Sequence, residues 1–180
     1  YKIDKTKGLF FDLLYATGSR IGDVVDPKNP DKKIKGIRVG DIDFKNNMIM
    51  FRGAKRQLMR VAPLPEYIIE GLKEYIQTNG LTKEGYLFPA QFGKLEGQAA
   101  SQGPFRDMFN ELFEETLQKN GLTRPKFYSV HDAFRDGYIE RFLAIQDGVD
   151  VQFKKLVTGQ LVGHTDPNVT WEAYMSKMDG

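Results

Sequence analysis

The stretch Ala16-Thr17-Gly18-Ser19-Arg20-Ile21-Gly22-Asp23 closes one helix and opens another. Ahead of it, Leu9, Phe10, Leu13 and Leu14 recur at helical spacing, which predicts a buried helix over residues 6–16. Thr17-Gly18 stops that helix. Ser19 is the expected cap of a second, short helix carrying Arg20, Ile21, Asp23 and Val24. An Arg in a first helical turn opposes the macrodipole, which favours anions at that end. The same place suits an Arg that holds an anion brought from outside. An ion pair between Arg20 and Asp23 across the turn is the competing account.

Downstream of this junction, residues 26–36 form a polar loop with two prolines, and then the hydrophobic period changes to two. Val39 to Phe44 reads as a strand, Lys45-Asn46-Asn47 as a turn, and Met48 to Phe51 as the returning strand. Gly53 to Gln57 makes a second turn, with Lys55 at its tip, and Leu58 to Val61 a third strand. The result is a small antiparallel meander. Pro65 starts a helix with Tyr67, Ile68, Leu72, Tyr75 and Ile76 on one face, and Asn79-Gly80 ends it. Residues 90–104 are rich in Gly and Gln and read as a loop. Phe105, Met108, Phe109, Leu112, Phe113 and Leu117 mark an amphipathic helix ending at Asn120-Gly121, its Phe and Met stripe belonging to the core.

Ser129 caps a further helix through Val130, His131, Phe134, Tyr138, Phe142 and Leu143. On it His131 and Arg135 lie one turn apart on one face, with Asp132 beside them. Such a pair serves a phosphate, or is simply a surface pair. Near the end of the chain, Gly163-His164 sits in a loop. Asp166 and Pro167 then supply the N-cap and first position of a short helix that carries Tyr174 two turns in.

A hydrophobic content of 41% over 180 residues is enough for one sizeable core and not obviously for two. No run of about 18 apolar residues exists to form a membrane span, and no signal peptide is visible. The absence of cysteine excludes disulfides and cysteine zinc sites. Two widely separated histidines argue against a structural metal site, and no cofactor is expected. Net charge is only +2, so basic residues matter by where they cluster. They do so at Lys32, Lys33, Lys35 and Arg38, and again at Arg52, Lys55, Arg56 and Arg60. Local basic patches on a near-neutral chain suit phosphate contact, although a solvated surface explains the first cluster as well.

Collected in order, the candidates are Arg20, Lys55, His131, Arg135, His164 and Tyr174, all at helix starts, turns or a terminal helix. Two Arg forks bind a phosphodiester bidentately and neutralise the charge that grows in a pentacoordinate transition state. His shuttles a proton or donates to a phosphoryl oxygen. Lys protonates a departing alkoxide, and Tyr takes the phosphoryl group as a covalent ester without a metal.

With these residues in place, the chain resembles the catalytic domain of the tyrosine recombinases, or phage-type integrases. The resemblance is carried by Ala16 to Asp23, by Phe51-Arg52-Gly53-Ala54-Lys55 with Arg60 to Pro65, by Ser129 to Arg135, by Leu161-Val162-Gly163-His164, and by Tyr174. It covers about residues 8–176. Three details depart from the family pattern. His131 stands four residues before Arg135 rather than three, so His131 and Asp132 both remain candidates for the histidine role. The Gly-His to Tyr spacing is one residue longer than usual. Asp23 replaces the usual Glu.

The resemblance implies an α+β fold: a single, mainly helical catalytic domain over residues 1–180 with a small three-stranded antiparallel sheet. The separate N-terminal DNA-clamping domain of the family is not found in this chain. It implies attack by Tyr174 on a scissile DNA phosphate to give a 3′-phosphotyrosyl bond. Arg20, Arg135 and His164 would hold the non-bridging oxygens, Lys55 would protonate the 5′-oxygen, and His131 would assist as acid/base. Arg52, Arg56 and Arg60 are the expected DNA contacts. The implied partner is double-stranded DNA, bound by a homotetramer that is monomeric when free, in an intracellular setting (cytoplasm or nucleoid). The alternatives are a type IB topoisomerase, similar in its chemistry, and a non-catalytic DNA-binding relic of the fold.

Overall fold

The computed structural model describes residues 5–25, 36–52, 59–91, 94, 96–124 and 130–145, with the single positions 148 and 157. For residues 5–7, 130–132, 143 and 145 only the backbone is described. In chain order the elements are α1 (Lys5–Thr17), α2 (Ile21–Val24), a 3-10 turn (Val39–Asp41), β1 (Ile42–Asp43), β2 (Met48–Phe51), β3 (Arg60–Pro63), α3 (Glu66–Thr78), α4 (Gln102–Lys119) and α5 (Val130–Ile145). This is the expected combination of helices with a three-stranded antiparallel sheet, ordered β1-β2-β3.

α1 is the element the others gather on. Phe10, Leu13 and Leu14 are fully buried, and the helix packs against both α3 and α5. Phe10 stacks on Phe105 of α4 at 4.0 Å between ring centroids and meets Phe88 edge-on at 5.3 Å. Phe11 stacks on Phe134 of α5 at 5.6 Å. α3 contributes Ile68, Ile69 and Leu72, and the sheet contributes Ile42, Ile49, Phe51 and Ala62. The register explains that choice. Ile42 pairs with Ile49 and Ile49 with Ala62, so one row of side chains crosses the sheet on its inner face.

Several local expectations change. Val39–Asp41 is a 3-10 turn, not strand. The amides of Val39 and Gly40 donate to the carbonyls of Gly85 and Lys83 rather than to a neighbouring strand. The Asp41 carboxylate closes back on the Arg38 amide at 2.8 Å, as an acidic residue does at the third position of a capped turn. Pro65 is the N-cap of α3 and not its first residue. Tyr67, expected on the apolar face of α3, is 57% exposed, and Ile69 takes its place in the core. On α4 only Phe105 and Leu117 are buried, while Met108, Phe109, Leu112 and Phe113 are half-buried. α4 itself starts at Gln102, inside the stretch expected to be loop.

α1 ends as the sequence suggests. Gly18 takes φ +60° and its amide donates to the Leu14 carbonyl at 2.9 Å, which is a left-handed helix stop. The Gly18 site is also closed on its outer side: a Cβ there would lie 2.7 Å from the Tyr138 ring. Gly18→Ala therefore meets a left-handed penalty of about 1–2 kcal/mol and a collision with α5. Urea unfolding should show a loss of roughly 2–3 kcal/mol, and a loss below about 0.5 kcal/mol would contradict this packing.

Candidate active site

Arg20 is the N-cap of α2, in extended conformation. Its amide donates to Asp23 Oδ2 at 3.1 Å, and the Asp23 amide donates to the Arg20 carbonyl at 2.9 Å. Ser19 is thus not the cap. It is buried, its Oγ 2.7 Å from Thr17 Oγ1, and it accepts a hydrogen bond from Arg60. The capping requirement is met by Asp23 instead, so the carboxylate near Arg20 has a structural duty as well as an electrostatic one.

Arg135 lies in the second turn of α5 and Arg60 starts β3. Although these residues and Arg20 come from three distant parts of the chain, the fold brings them within reach of each other's charge. Burial draws the Arg135 guanidinium down to about 10, and the positive charges of Arg20 and Arg60 pull the same way, against Asp23 and Asp136. Arg60 is likewise held below its ordinary value, first by burial and further by Arg20, with Asp23 opposing. Asp23 is the carboxylate common to both. Guanidinium groups near one another and partly out of water make a place where an incoming polyanion recovers interactions that water would otherwise supply.

Arg60 was expected to be a DNA contact, and its guanidinium is turned inward. Nη1 donates to the Thr17 carbonyl at 2.8 Å, Nη2 to Ser19 Oγ, and the group lies 4.5 Å above the centre of the Phe51 ring. Strand parity carries the signal for this. Ala62 and Leu64 are buried, and position 60 shares their side of the strand. Arg52, the other expected contact, donates through Nε at 2.8 Å and through Nη2 to Oδ1 of Asp41, whose side chain is fully buried while Arg52 stays 43% exposed. Both arginines at the foot of the β2–β3 hairpin are bonded into the fold.

Tyr138, expected in the core, is half-buried one turn beyond Arg135, its ring against Gly18. Burial pushes its phenol up despite the nearby Arg60 and Arg141, so it stays protonated at neutral pH. Lys55, Arg56, His164 and Tyr174 lie outside the described residues, as do the side chains of His131 and Asp132. The backbone of α5 nevertheless puts His131 one helical turn before Arg135. Among the described residues, no group of three His, Cys, Asp or Glu side chains could hold a metal ion, and no helix is long and apolar enough to cross a membrane.

This geometry can be set beside known proteins. The phage integrase family model matches residues 2–179, and the chain belongs to that family. Tyrosine recombinase XerA of Thermococcus onnurineus (strain NA1) is 34% identical over 74 residues, 41% of this chain and 23% of that protein. The crystal structure of XerA recombinase superimposes with a TM-score of 0.64 at 17% identity, covering 97% of this chain and 56% of that one. The Tn1549 transposon integrase, solved in complex with circular intermediate DNA, gives a TM-score of 0.61 at 19% identity, over 97% of this chain and 55% of that one. The fold is that of these catalytic domains, and the chain spans little over half the length of each solved relative.

The electrostatics of Arg135 have a measurable consequence. Its folded value lies below its unfolded one. The unfavourable burial of its charge is therefore fully present at neutral pH and is relieved only as pH rises through about 10. Arg135→Met should leave stability unchanged or raise it by about 1–2 kcal/mol, while inorganic sulfate should raise the melting temperature of the parent more than that of the variant. A variant that melts well below the parent would show that the ionic neighbours of Arg135 hold the fold together.

Proposed function

We propose that this chain is the catalytic domain of a tyrosine site-specific DNA recombinase that cuts and rejoins double-stranded DNA through a 3′-phosphotyrosyl intermediate. The observation that supports the reading is that Arg20, Arg60 and Arg135, from three distant parts of the chain, lie close enough for each other's charge and that of Asp23 to be felt. Membership of the integrase family supports a DNA phosphate as the anion these residues bind.

In this reading the Tyr174 oxygen attacks the scissile phosphorus. A Tyr–O–P bond forms, the bond from phosphorus to the 5′-oxygen breaks, and the phenolic proton passes to a neighbouring base. In this reading His131 takes that proton, with Asp132 as its alternative. Lys55 delivers a proton to the leaving 5′-oxygen. Arg20, Arg135 and His164 hold the non-bridging oxygens, and the guanidinium charges take the part that a metal plays in other phosphoryl transfers, so cleavage proceeds in EDTA. Rejoining is the same path reversed, with a 5′-hydroxyl from the partner duplex as nucleophile. Arg56 contacts the DNA backbone, while Arg52 and Arg60, bonded into the fold, contribute positive field. A homotetramer assembled on DNA inside the cell exchanges strands in pairs.

The test is covalent trapping. The parent, incubated in EDTA with a pool of nicked duplexes of randomised sequence, should form a denaturation-resistant protein–DNA adduct whose DNA can be sequenced. Tyr174→Phe should form none while keeping its fold and DNA affinity. An adduct with the Phe variant, or a strict requirement for a divalent cation in the parent, would contradict the proposal.

A further inference from the structure

Both feet of the β2–β3 hairpin are fastened by arginines. Arg52, just past β2, is bonded to the buried Asp41. Arg60, the first residue of β3, pairs with Phe51 across the ladder and reaches back to α1. Residues 53–58, with Lys55 and Arg56 among them, join the two.

The Arg60 bonds fall on a particular spot. The Thr17 carbonyl is at the C-terminal end of α1, where helix carbonyls lack intrahelical partners and the macrodipole is negative. Ser19 Oγ, the second acceptor, is linked to Thr17 Oγ1, which is itself bonded to the Leu13 carbonyl at 2.7 Å. Thr17 and Ser19 are buried. Arg60 therefore closes a network built from the residues that immediately precede Arg20, and its guanidinium lies over the Phe51 ring as it does so.

We infer that Arg60 is a positioning residue: it holds the turn over residues 17–19 that leads into Arg20, and so ties the placement of Arg20 to the start of β3. The inference rests on the proposed function for the meaning of the Arg20–Arg135 site, and it assigns Arg60 a task other than direct DNA contact. It also explains why an arginine is needed. A planar fork bonds a carbonyl and a hydroxyl at once while stacked on an aromatic face, and the single ammonium of a lysine does not.

A double-mutant cycle tests it. Parent, Arg60→Lys, Arg20→Lys and the double variant are compared in single-turnover adduct formation and in affinity for a DNA duplex at fixed salt, at a temperature where circular dichroism shows all four folded. Arg60→Lys alone should slow adduct formation roughly tenfold, the scale of one lost charged hydrogen bond. In the Arg20→Lys background it should cost almost nothing more, because its effect passes through Arg20. Equal losses in both backgrounds, or no loss at all, overturn the inference. Arg124→Met, which breaks a remote latch to Glu114 and Asn110, lowers the melting temperature yet should combine independently with Arg20→Lys, so a general structural defect is distinguishable. If Arg60→Lys does not fold, Ser19→Ala removes one acceptor only and must show the same non-additivity. If the parent forms no adduct, the recombinase reading fails. The affinity cycle then decides Arg60 alone, with coupling upholding its assignment and additivity overturning it.

Discussion

Like charges held close together and partly out of water are the constraint around which this domain is arranged. Arg20 comes from a turn between helices, Arg60 from a strand and Arg135 from a helix more than a hundred residues downstream of the first. Left to themselves they repel, and burial lowers the affinity of Arg135 and Arg60 for their protons. They stay together because the scaffold is strong. α1 is packed on both sides, its aromatic side chains interlock with those of α4 and α5, and the negative charge of Asp23 opposes the repulsion. The arrangement is preorganised: its electrostatic cost is met during folding, before any anion arrives.

The same economy of parts appears in the two tight turns that begin with arginine. Arg20-Ile21-Gly22-Asp23 and Arg38-Val39-Gly40-Asp41 share a sequence pattern and a geometry, with the Asp carboxylate bonded to the Arg amide in each. Their side chains diverge in use. Arg38 lies over the Tyr86 ring and donates to the Glu84 carbonyl, and Asp41 anchors Arg52. The charge of Arg20 is felt at Arg60 and Arg135. One local solution thus serves as a strut in one place and as part of a candidate active site in the other, and only long-range packing separates the two.

That difference marks what the sequence can reveal. The long helices were legible because their apolar residues repeat every three to four positions. The β2 strand was legible as a short apolar run bounded by turn residues, and the end of α1 because glycine readily takes the left-handed turn at Gly18. Arg20 and Arg135 stood out through the motifs around them. The 3-10 turn at Val39–Asp41 was hidden, since its amides bond to Gly85 and Lys83, residues that no local pattern connects with it. The internal bonds of Arg60 were hidden for a related reason. It sits in a run of basic residues that reads as a surface patch, yet strand parity and the open carbonyl at the end of α1 draw it inward. Tyr67 was misjudged in the other direction, as α3 buries Ile68 and Ile69 together and turns the ring to solvent.

The central claim is that Arg20 and Arg135 form one anion site whose geometry Arg60 sets from within the fold, and the most direct measurement observes these three side chains. In nitrogen-15 spectra of the guanidinium Nε–H groups, assigned by single Arg→Lys variants, a short DNA duplex should shift all three signals along one shared saturation curve. Arg124, remote and latched to Glu114, should not move. Separate curves for the three groups, or a response confined to exposed arginines, would contradict the account.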